Sequence, residues 1–308
     1  MTTNKSVLIS LAVAAQLLSF TIAAPSRRSN VALSVPNFND YSEGDAPDIY
    51  KLFKAPFTGC FGMYRDSTDC VSSKPNDSYV KVNPTNKDER VMEINLRAGV
   101  YGTSQKGTGG QFYSSEFTDD FGGVDEATYE YQVYFPSGFE WTHGGKLPGQ
   151  YIGSMDCSGG FMADGTNCAS TRLMWRENGE GEAYLYVPMM EQDPSFCAKC
   201  AYPEMDSECS DVPHCSLNRG SWSFNEGKWT TVKQYVKLNT VGKNDGIFSL
   251  WINGNLVMKE QLVYRTTNDM QLSGQFFSTF FGGSSQKYAP NTDQTILFKG
   301  FKLTAGEA

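Results

Sequence analysis

The sequence predicts an all-β protein, a β-sandwich or jelly roll built as a single domain, and three observations lead to this fold class. From residue 56 onward, apolar and polar side chains alternate with a period of two, as they do in strands that bury one face. Turn-forming residues, among them many of the 30 glycines, interrupt this alternation at short intervals. No amphipathic helical pattern exceeds two turns. Many short strands separated by turns are typical of sandwiches and jelly rolls.

Six stretches carry the clearest strand pattern. In the first, 127–135, apolar and aromatic side chains occupy every second position from Ala127 to Phe135, and mostly polar ones fall between them. Asn253 and Gly254 form the dipeptide that favours a two-residue hairpin turn. The other five predicted strands are 230–238, 246–252, 256–264, 271–281 and 295–303.

The first 55 residues precede this pattern. Residues 1–23 are typical of a secretory signal peptide, with a positive charge at Lys5, an apolar run, and small residues before a cleavage site after Ala23. The apolar run is shorter than the roughly 20 residues that a membrane-spanning helix needs. Residues 24–55 are polar, and we expect an N-terminal extension without regular secondary structure. Residues 56–308 then form the single domain.

Eight cysteines follow the leader, an even number that predicts disulfides in an exported chain. They are Cys60, Cys70, Cys157, Cys168, Cys197, Cys200, Cys209 and Cys215. Cys60 with Cys70, and Cys157 with Cys168, are natural local pairs. The later cysteines and His214 have a spacing that a zinc site also shows, but an oxidising compartment favours disulfides. With a glycosylation sequon at Asn76, the sequence predicts a secreted, extracellular glycoprotein.

The charge balance limits the partners of the chain. The sequence has 34 acidic and 26 basic residues, a net charge of −8. This balance argues against nucleic-acid binding, which depends on neutralising phosphates. No apolar stretch after the leader is long enough to span a bilayer. We therefore expect a monomer with no nucleic-acid or membrane partner, and a polyanionic substrate would need a local basic patch.

Three segments in the middle of the chain carry side chains suited to an acidic sugar. The glycine-rich turn 143–149 contains Lys146, and strands at 170–176 and 183–187 are joined by a turn at 178–182. The period of two places on one side of this hairpin Ser170, Arg172, Met174, Arg176, Tyr184 and Tyr186. Arginine binds carboxylates bidentately, and tyrosine offers both a ring and a hydroxyl. The alternative at this point is an ordinary exposed sheet face on which tyrosines pack beside an arginine.

A resemblance to a known family adds to this interpretation. The segments Gly144-Gly-Lys-Leu-Pro-Gly149, Ser170-Thr-Arg-Leu-Met-Trp-Arg176, Tyr184-Leu-Tyr186 and Gly274-Gln-Phe-Phe-Ser-Thr-Phe-Phe-Gly-Gly283 resemble, in this order, the core of polysaccharide lyase family 14. That family includes alginate lyases, and the glucuronan lyases of family 20 are similar in fold and in part of the motif. The resemblance covers about residues 127–302. It implies a β-jelly roll whose concave face forms the substrate cleft, and cleavage of a uronic-acid polymer by β-elimination.

The resemblance also assigns functional residues. The family's lysine falls on Lys146, its serine and arginine on Ser170 and Arg172, and its paired tyrosines on Tyr184 and Tyr186. Further substrate-binding candidates are Gln150, His143, Arg176 and Gln275. The 197–215 loop and His143 depart from the family pattern, which leaves substrate preference open.

In the expected mechanism, Arg172 neutralises the uronate carboxylate while a base removes the C5 proton beside it. Ser170 and Gln150 add hydrogen bonds. Tyr184 or Tyr186, together with Lys146, supplies the base and the acid that protonates the leaving oxygen. His143 is a rival base, and His214 is expected to be a loop residue. The scheme requires no metal and no cofactor.

Two other function classes remain open from the sequence. A glycoside hydrolase would need two carboxylates, for which Glu126, Glu130 and Glu182 are candidates. A lectin-like protein would keep the aromatic cleft without turnover. Within the lyase interpretation, the polymer is alginate or glucuronan. Secretion and a dibasic pair at Arg27-Arg28 suggest a fungal source, in which glucuronan is at least as reasonable a substrate as alginate.

Overall fold

The computed structural model describes residues 30–54, 78–103, 108–117, 123–200 and 212–307. Two antiparallel sheets make up this part of the chain, and helical segments are short. The strands are β1 (Asn30–Val35), β2 (Ser78–Asn83), β3 (Asn86–Leu96), β4 (Gly109–Tyr113), β5 (Glu126–Tyr134), β6 (Gly145–Leu147), β7 (Gly149–Gly153), β8 (Cys168–Trp175), β9 (Gly181–Tyr186), β10 (Cys215–Leu217), β11 (Trp229–Lys237), β12 (Gly246–Ile252), β13 (Asn255–Leu262), β14 (Leu272–Phe281) and β15 (Gln294–Ala305). The prediction of an all-β jelly-roll fold is confirmed.

The two sheets differ in strand order, and the second contains the segments that carry the family resemblance. The first has the order β13-β12-β11-β5-β15-β3-β2, with β1 paired to β15. The second has the order β10-β9-β8-β6-β14-β4, with β7 paired to both β14 and β8. The helical segments are α1 (Ile49–Phe53), α2 (Pro194–Cys197) and three 3₁₀ turns, Glu177–Gly179, Met189–Glu191 and Gln286–Tyr288. The second sheet contains the strands of all four segments that carry the family resemblance, including the segment with the tyrosine pair.

The core between the sheets is rich in aromatic side chains. The Phe277 ring of β14 stacks on Phe112 of β4 at 4.7 Å and meets Phe298 of β15 at 5.1 Å, which joins the two sheets. The Tyr129 hydroxyl donates to Gln275 Oε1 across the same space at 2.7 Å. Because successive side chains alternate along a strand, the residues between these positions on the second sheet point away from the core. That outer face carries the candidate site.

The N-terminal segment differs from the prediction. Residues 30–35, expected to lack regular structure, form strand β1 on the edge of β15, with Leu33 and Val35 buried. Ile49 and Phe53 of α1 are also buried in the core. The strand is six residues long and its partner lies some 270 positions further along the chain. A local pattern this short carries little signal before its partner is known. The predicted leader, 1–23, lies outside the described residues.

The other strand predictions hold. β12 has the predicted bounds, and the other five clear stretches begin or end within two residues of their predictions. Asn253 and Gly254 have φ of 50° and 80°, the left-handed conformation that a two-residue hairpin turn requires. The predicted hairpin between β12 and β13 is therefore confirmed.

Two disulfides occur in the described part of the chain. Cys157–Cys168 was predicted as a local pair, and Cys200–Cys215 removes two candidate ligands of the alternative zinc site. Cys197 takes part in a further disulfide, so it too is no free zinc ligand. Cys60, Cys70, Cys209 and Asn76 lie outside the described residues. Among the helices described, none has the length and apolar character needed to cross a membrane.

Candidate active site

The β8–β9 hairpin forms the floor of the site. Its turn is closed by Asn178 and Gly179, both at positive φ (58° and 77°). The resulting register pairs Arg172 with Tyr184 and Ser170 with Tyr186. Paired residues in an antiparallel ladder share a face. The structure therefore brings these side chains together on the outer face of the second sheet, as the sequence predicted.

Lys146 reaches the same face from β6. Its strand pairs with β8 so that Lys146 lies opposite Met174. The Lys146 Nζ atom lies 3.1 Å from Met174 Sδ and 3.9 Å from the centre of the Tyr184 ring. Glycine is required at the first residue of β6 and of β7: a Cβ at Gly145 would lie 2.1 Å from the Trp175 ring, and a Cβ at Gly149 would lie 2.2 Å from the Thr171 carbonyl oxygen. The glycine-rich motif thus lets the Lys146 strand lie directly against β8.

The environment of Lys146 favours its neutral amine. Burial lowers the pKa of Lys146 well below its usual range, and the nearby guanidinium groups of Arg172 and Arg176 lower it further, while Glu182 opposes them. Lys146 is 8% exposed. A buried amine among cations loses its proton at a lower pH than an ordinary lysine does.

Arg172 lies at the centre of the site and is 2% exposed. Its guanidinium carbon lies 4.5 Å from the centre of the Phe276 ring and 5.6 Å from that of Tyr186. One terminal nitrogen, Nη1, lies 3.5 Å from Ser278 Oγ, which itself donates to Gln111 Oε1 at 3.0 Å. The Arg172 Nε is buried and has no hydrogen-bond partner within the described residues. This nitrogen is a donor for which a ligand carboxylate is a suitable acceptor.

The disulfide-closed loop 157–168 contacts the Tyr186 end of the site. The backbone N–H of Gly160 donates to the Tyr186 hydroxyl oxygen at 3.1 Å. The Ser170 hydroxyl donates to the Cys157 carbonyl oxygen at 2.8 Å. The Gly160 N–H therefore holds the Tyr186 hydroxyl oxygen against the loop. Ser170 itself holds the loop in place.

His214 lies in a loop just before β10, as expected, and its side chain also packs against the tyrosines of the site. Its ring centre lies 4.2 Å from that of Tyr184 and 5.4 Å from that of Tyr186. Burial lowers the pKa of His214 to about 3, and the positive charges of Lys146 and Arg172 contribute to this shift. The position of His214 follows from the register of the next strand. Cys215 pairs with Leu185, so His214 precedes β10 on the face of the tyrosines.

Arg176 is held in an ion pair on the same face. Its Nε lies 2.9 Å from Glu182 Oε2, and Arg219 binds the same carboxylate from β10's end of the sheet. Glu182 is fully buried, and although burial opposes it, these two arginines lower the pKa of its carboxyl. The guanidinium predicted to bind substrate is thus occupied by Glu182. Arg176 instead contributes positive charge close to Lys146.

His143 lies at the exposed end of the lysine turn. Its side chain is 44% exposed, its Nδ1 contacts a carboxylate oxygen of Glu177, and its ring centre lies 5.7 Å from that of Tyr288. These contacts place His143 at the rim of the site. The structure does not bring it into the Lys146–Tyr184 cluster as a rival base.

The predictions for Gln150 and Gln275 are wrong. The two residues are paired across β7 and β14, and both are 0% exposed. Gln275 accepts its hydrogen bond from Tyr129 of the opposite sheet, so this face of the pair points into the core. A motif match identifies a segment, but the alternation along the strand decides which side chains reach the cleft.

The carboxylates of the alternative hydrolase do not converge. Glu126 accepts from the Tyr235 hydroxyl at 2.8 Å, and Glu130 lies on β5 opposite Lys233, so both belong to the first sheet. Glu182 lies on the second sheet in its ion pair with two arginines. A glycoside hydrolase needs two carboxyl groups a few ångströms apart on either side of one bond. These three residues do not meet that requirement.

Metal ligands also fail to cluster in the part of the chain that the structure describes. Its residues contain no group of three or more His, Cys, Asp or Glu side chains that could hold a metal ion.

Comparison with known proteins agrees with this geometry. A family model described as polysaccharide lyase 14 matches residues 84–301. A protein named exolysin from Paramecium bursaria Chlorella virus 1 is 24% identical over 226 residues, which cover 68% of this chain and 33% of the relative. The matched stretch thus spans about a third of that relative's length.

Two solved structures are similar in fold. The PL-14 alginate lyase from Aplysia kurodai is 28% identical, with 90% of this chain and 100% of that chain covered and a TM-score of 0.67. The alginate lyase vAL-1 from Chlorella virus is 24% identical, with 75% of this chain and 90% of that chain covered and a TM-score of 0.58. The second likeness concerns the fold alone.

Proposed function

Because the chain belongs to polysaccharide lyase family 14, we propose that it cleaves a uronic-acid polymer by β-elimination and leaves an unsaturated uronate at the new non-reducing end. The observation that carries this proposal is the convergence of Arg172, Lys146, Tyr184 and Tyr186 on one face of the second sheet. Alginate is the first polymer to test, because the Aplysia kurodai structure at 28% identity is named an alginate lyase. Glucuronan has the same reactive group and is the second.

Arg172 binds the carboxylate of the sugar whose C5–H bond breaks. The C5 proton is weakly acidic because the carbanion that forms lies beside a negative carboxylate. The buried guanidinium, with its unpartnered Nε, neutralises that carboxylate in a site of low dielectric constant, where a charge-assisted hydrogen bond is strong. Ser278 and the Phe276 ring hold the guanidinium in position.

Lys146 is the base in this mechanism. Its lowered pKa provides a neutral amine with a free electron pair, and that amine removes the C5 proton. The electron pair of the C–H bond forms the C4–C5 double bond, and the bond from C4 to the glycosidic oxygen breaks. The ammonium group that results lies 3.9 Å from the centre of the Tyr184 ring, where a cation–π contact stabilises it.

Tyr186 is the acid. Its hydroxyl gives a proton to the departing glycosidic oxygen, and the Gly160 N–H stabilises the phenolate that remains. The two tyrosines therefore have different roles: Tyr186 acts through its hydroxyl and Tyr184 through its ring. Tyr186→Phe should lower kcat by about 10²–10⁴-fold, the usual contribution of a proton-transfer group. Tyr184→Phe keeps the ring and should retain most of the activity. Equal activity of both variants and the wild type would contradict the mechanism.

The reaction class is tested by incubating the purified protein with polymannuronate, polyguluronate and glucuronan separately. The new C4–C5 double bond absorbs in the ultraviolet, so an absorbance rise on one polymer establishes β-elimination and identifies the substrate. New reducing ends without an absorbance rise would mean hydrolysis. Polymer binding without either product would mean a lectin-like protein.

We further propose that the protein is exported and acts as a monomer. The two disulfides in the described residues support an oxidising compartment. N-terminal sequencing of the protein recovered from the medium of its source tests the predicted cleavage after Ala23. Light scattering coupled to size-exclusion chromatography tests the monomer.

A further inference from the structure

The loop closed by the Cys157–Cys168 disulfide exposes two consecutive apolar side chains beside the site. Phe161 is 44% exposed and Met162 is 41% exposed. Phe161 is the one aromatic side chain among the exposed large hydrophobic residues of the described ranges. Apolar side chains that stay exposed next to a cleft often mark a ligand-binding surface.

The loop is attached to the site at its base and at its tip. The Tyr113 hydroxyl donates to the Met155 carbonyl oxygen at 2.9 Å, and Ser170 donates to Cys157 at 2.8 Å. At the tip, the Gly160 N–H donates to the Tyr186 hydroxyl at 3.1 Å. Phe161 follows Gly160 directly in the chain. Phe161 is therefore the neighbour of Gly160, whose N–H contacts Tyr186, the acid of the proposed mechanism.

Hydrogen bonds within the loop hold its conformation. The Asp164 carboxylate accepts from the backbone N–H of Thr166 at 2.7 Å and from that of Asn167 at 3.0 Å. The Asn167 amide donates to the Met162 carbonyl oxygen at 3.2 Å, and the Thr266 N–H donates to Gly165 at 2.8 Å. The loop thus presents its apolar side chains from an ordered framework. Ordering such side chains before a ligand arrives lowers the entropy cost of binding.

We propose that Phe161, supported by Met162, is a sugar-binding platform for the residue of the polymer that lies next to the cleaved bond on the Tyr186 side. The inference rests on the proposed function. The chemical class of the ligand is a uronate pyranose ring, which has an apolar face of C–H groups and an edge that carries its carboxylate and hydroxyls. The C–H face packs on the aromatic ring, while the charged edge stays in water. The chain carries a net charge of −8, and an apolar contact binds a polyanion without requiring another cation.

The test compares Phe161→Ala with Leu256→Ala. Leu256 is 52% exposed on β13, at the edge of the first sheet, and is a matched control for removal of an exposed apolar side chain. On the polymer that the wild type cleaves, Phe161→Ala should raise KM about five- to tenfold, as expected for loss of part of one aromatic contact area. Leu256→Ala should match the wild type. Phe161→Trp should keep a low KM, because a planar ring is restored.

The length of the substrate gives a second readout. Because every substrate that is cleaved has a sugar residue next to the cleaved bond, Phe161→Ala should raise KM for the shortest cleaved oligomer by about the same factor as for the polymer. An unchanged KM of Phe161→Ala on the polymer would overturn the proposal, as would failure of Phe161→Trp to restore binding. Absence of cleavage by the wild type on any uronate polymer would contradict the proposed function instead. In that case affinity electrophoresis in alginate gels still compares the variants, and equal retardation would overturn the platform.

Discussion

The buried side chain of His214 makes the stability of this protein depend on pH. Burial beside Lys146 and Arg172 lowers the pKa of His214 from 6.5 to about 3. The unfolded chain therefore binds a proton at this residue at pH 5, whereas the folded chain does not. A group whose pKa is lowered by folding stabilises the protein above its unfolded pKa, and that contribution is lost as the pH falls from 6.5 towards 3.

The size of the effect follows from this pKa difference. Each pH unit below the unfolded pKa of 6.5 lowers the free energy of unfolding by about 1.4 kcal/mol, as long as the pH stays above the folded pKa. A fall from pH 7 to pH 5 should therefore lower it by about 2 kcal/mol through His214. With an m-value of about 3 kcal/mol/M for a domain of this size, the urea midpoint should fall by about 0.7 M from this source alone. In His214→Gln this part of the pH dependence should disappear.

The assay is urea unfolding followed by tryptophan fluorescence at pH 7 and pH 5, with disulfides intact, for the wild type and for His214→Gln and His143→Gln. The sequence contains two histidines, so His143, which is 44% exposed at the rim, provides a matched control. His143→Gln should keep the wild-type loss of stability between the two pH values. The same loss in His214→Gln as in the wild type would refute the reasoning.

Three further predictions concern two charged residues of the site and the expectation that the reaction needs no metal. Lys146→Met should abolish turnover yet raise the free energy of unfolding at pH 7, measured by urea titration, because a buried amine with a lowered pKa is replaced by an apolar side chain of similar length. Glu182→Gln should destabilise the protein by about 3 kcal/mol in the same titration, since Arg176 and Arg219 lose the buried carboxylate between them. Dialysis against a chelator should leave the initial rate unchanged, and inhibition that added metal reverses would contradict a metal-free mechanism.

The sequence predicted those parts of the site that depend on strand alternation. Arg172 and Tyr184 share a face because they are paired across a hairpin. The Asn-Gly pair at 178–179 marks the turn of that hairpin in the sequence. The same alternation turns Gln275 towards the core, because Phe276 beside it faces the site, and Gln150 is paired with Gln275. The predictions for these two glutamines are therefore wrong.

Other parts of the structure depend on contacts between distant segments. β1 pairs with a strand some 270 positions away, and a six-residue pattern does not identify its partner. His214 reaches the tyrosines because Cys215 is tied to Cys200 and paired with Leu185. A single sequence leaves disulfide pairing open, so the position of His214 could not be predicted.

The arrangement of cations implies that the substrate itself increases the basicity of Lys146. In the free enzyme, burial opposes a charge on Lys146, Arg172 and Arg176 oppose it further, and Glu182 favours it. When Arg172 binds a uronate carboxylate, that negative charge enters the same buried cluster and favours the ammonium form. We therefore expect the pKa of Lys146 to be higher in the enzyme–substrate complex than in the free enzyme.

This difference can be observed in the pH dependence of the rate. Because the amine must be neutral to act as the base, activity rises as the pH passes above the pKa of Lys146. The acidic limb of kcat/KM reports the free enzyme and that of kcat reports the complex, so the limb of kcat should lie at the higher pH. An acidic limb of kcat at or below the pH of that of kcat/KM would mean that the carboxylate does not act on Lys146, and that a different group removes the proton.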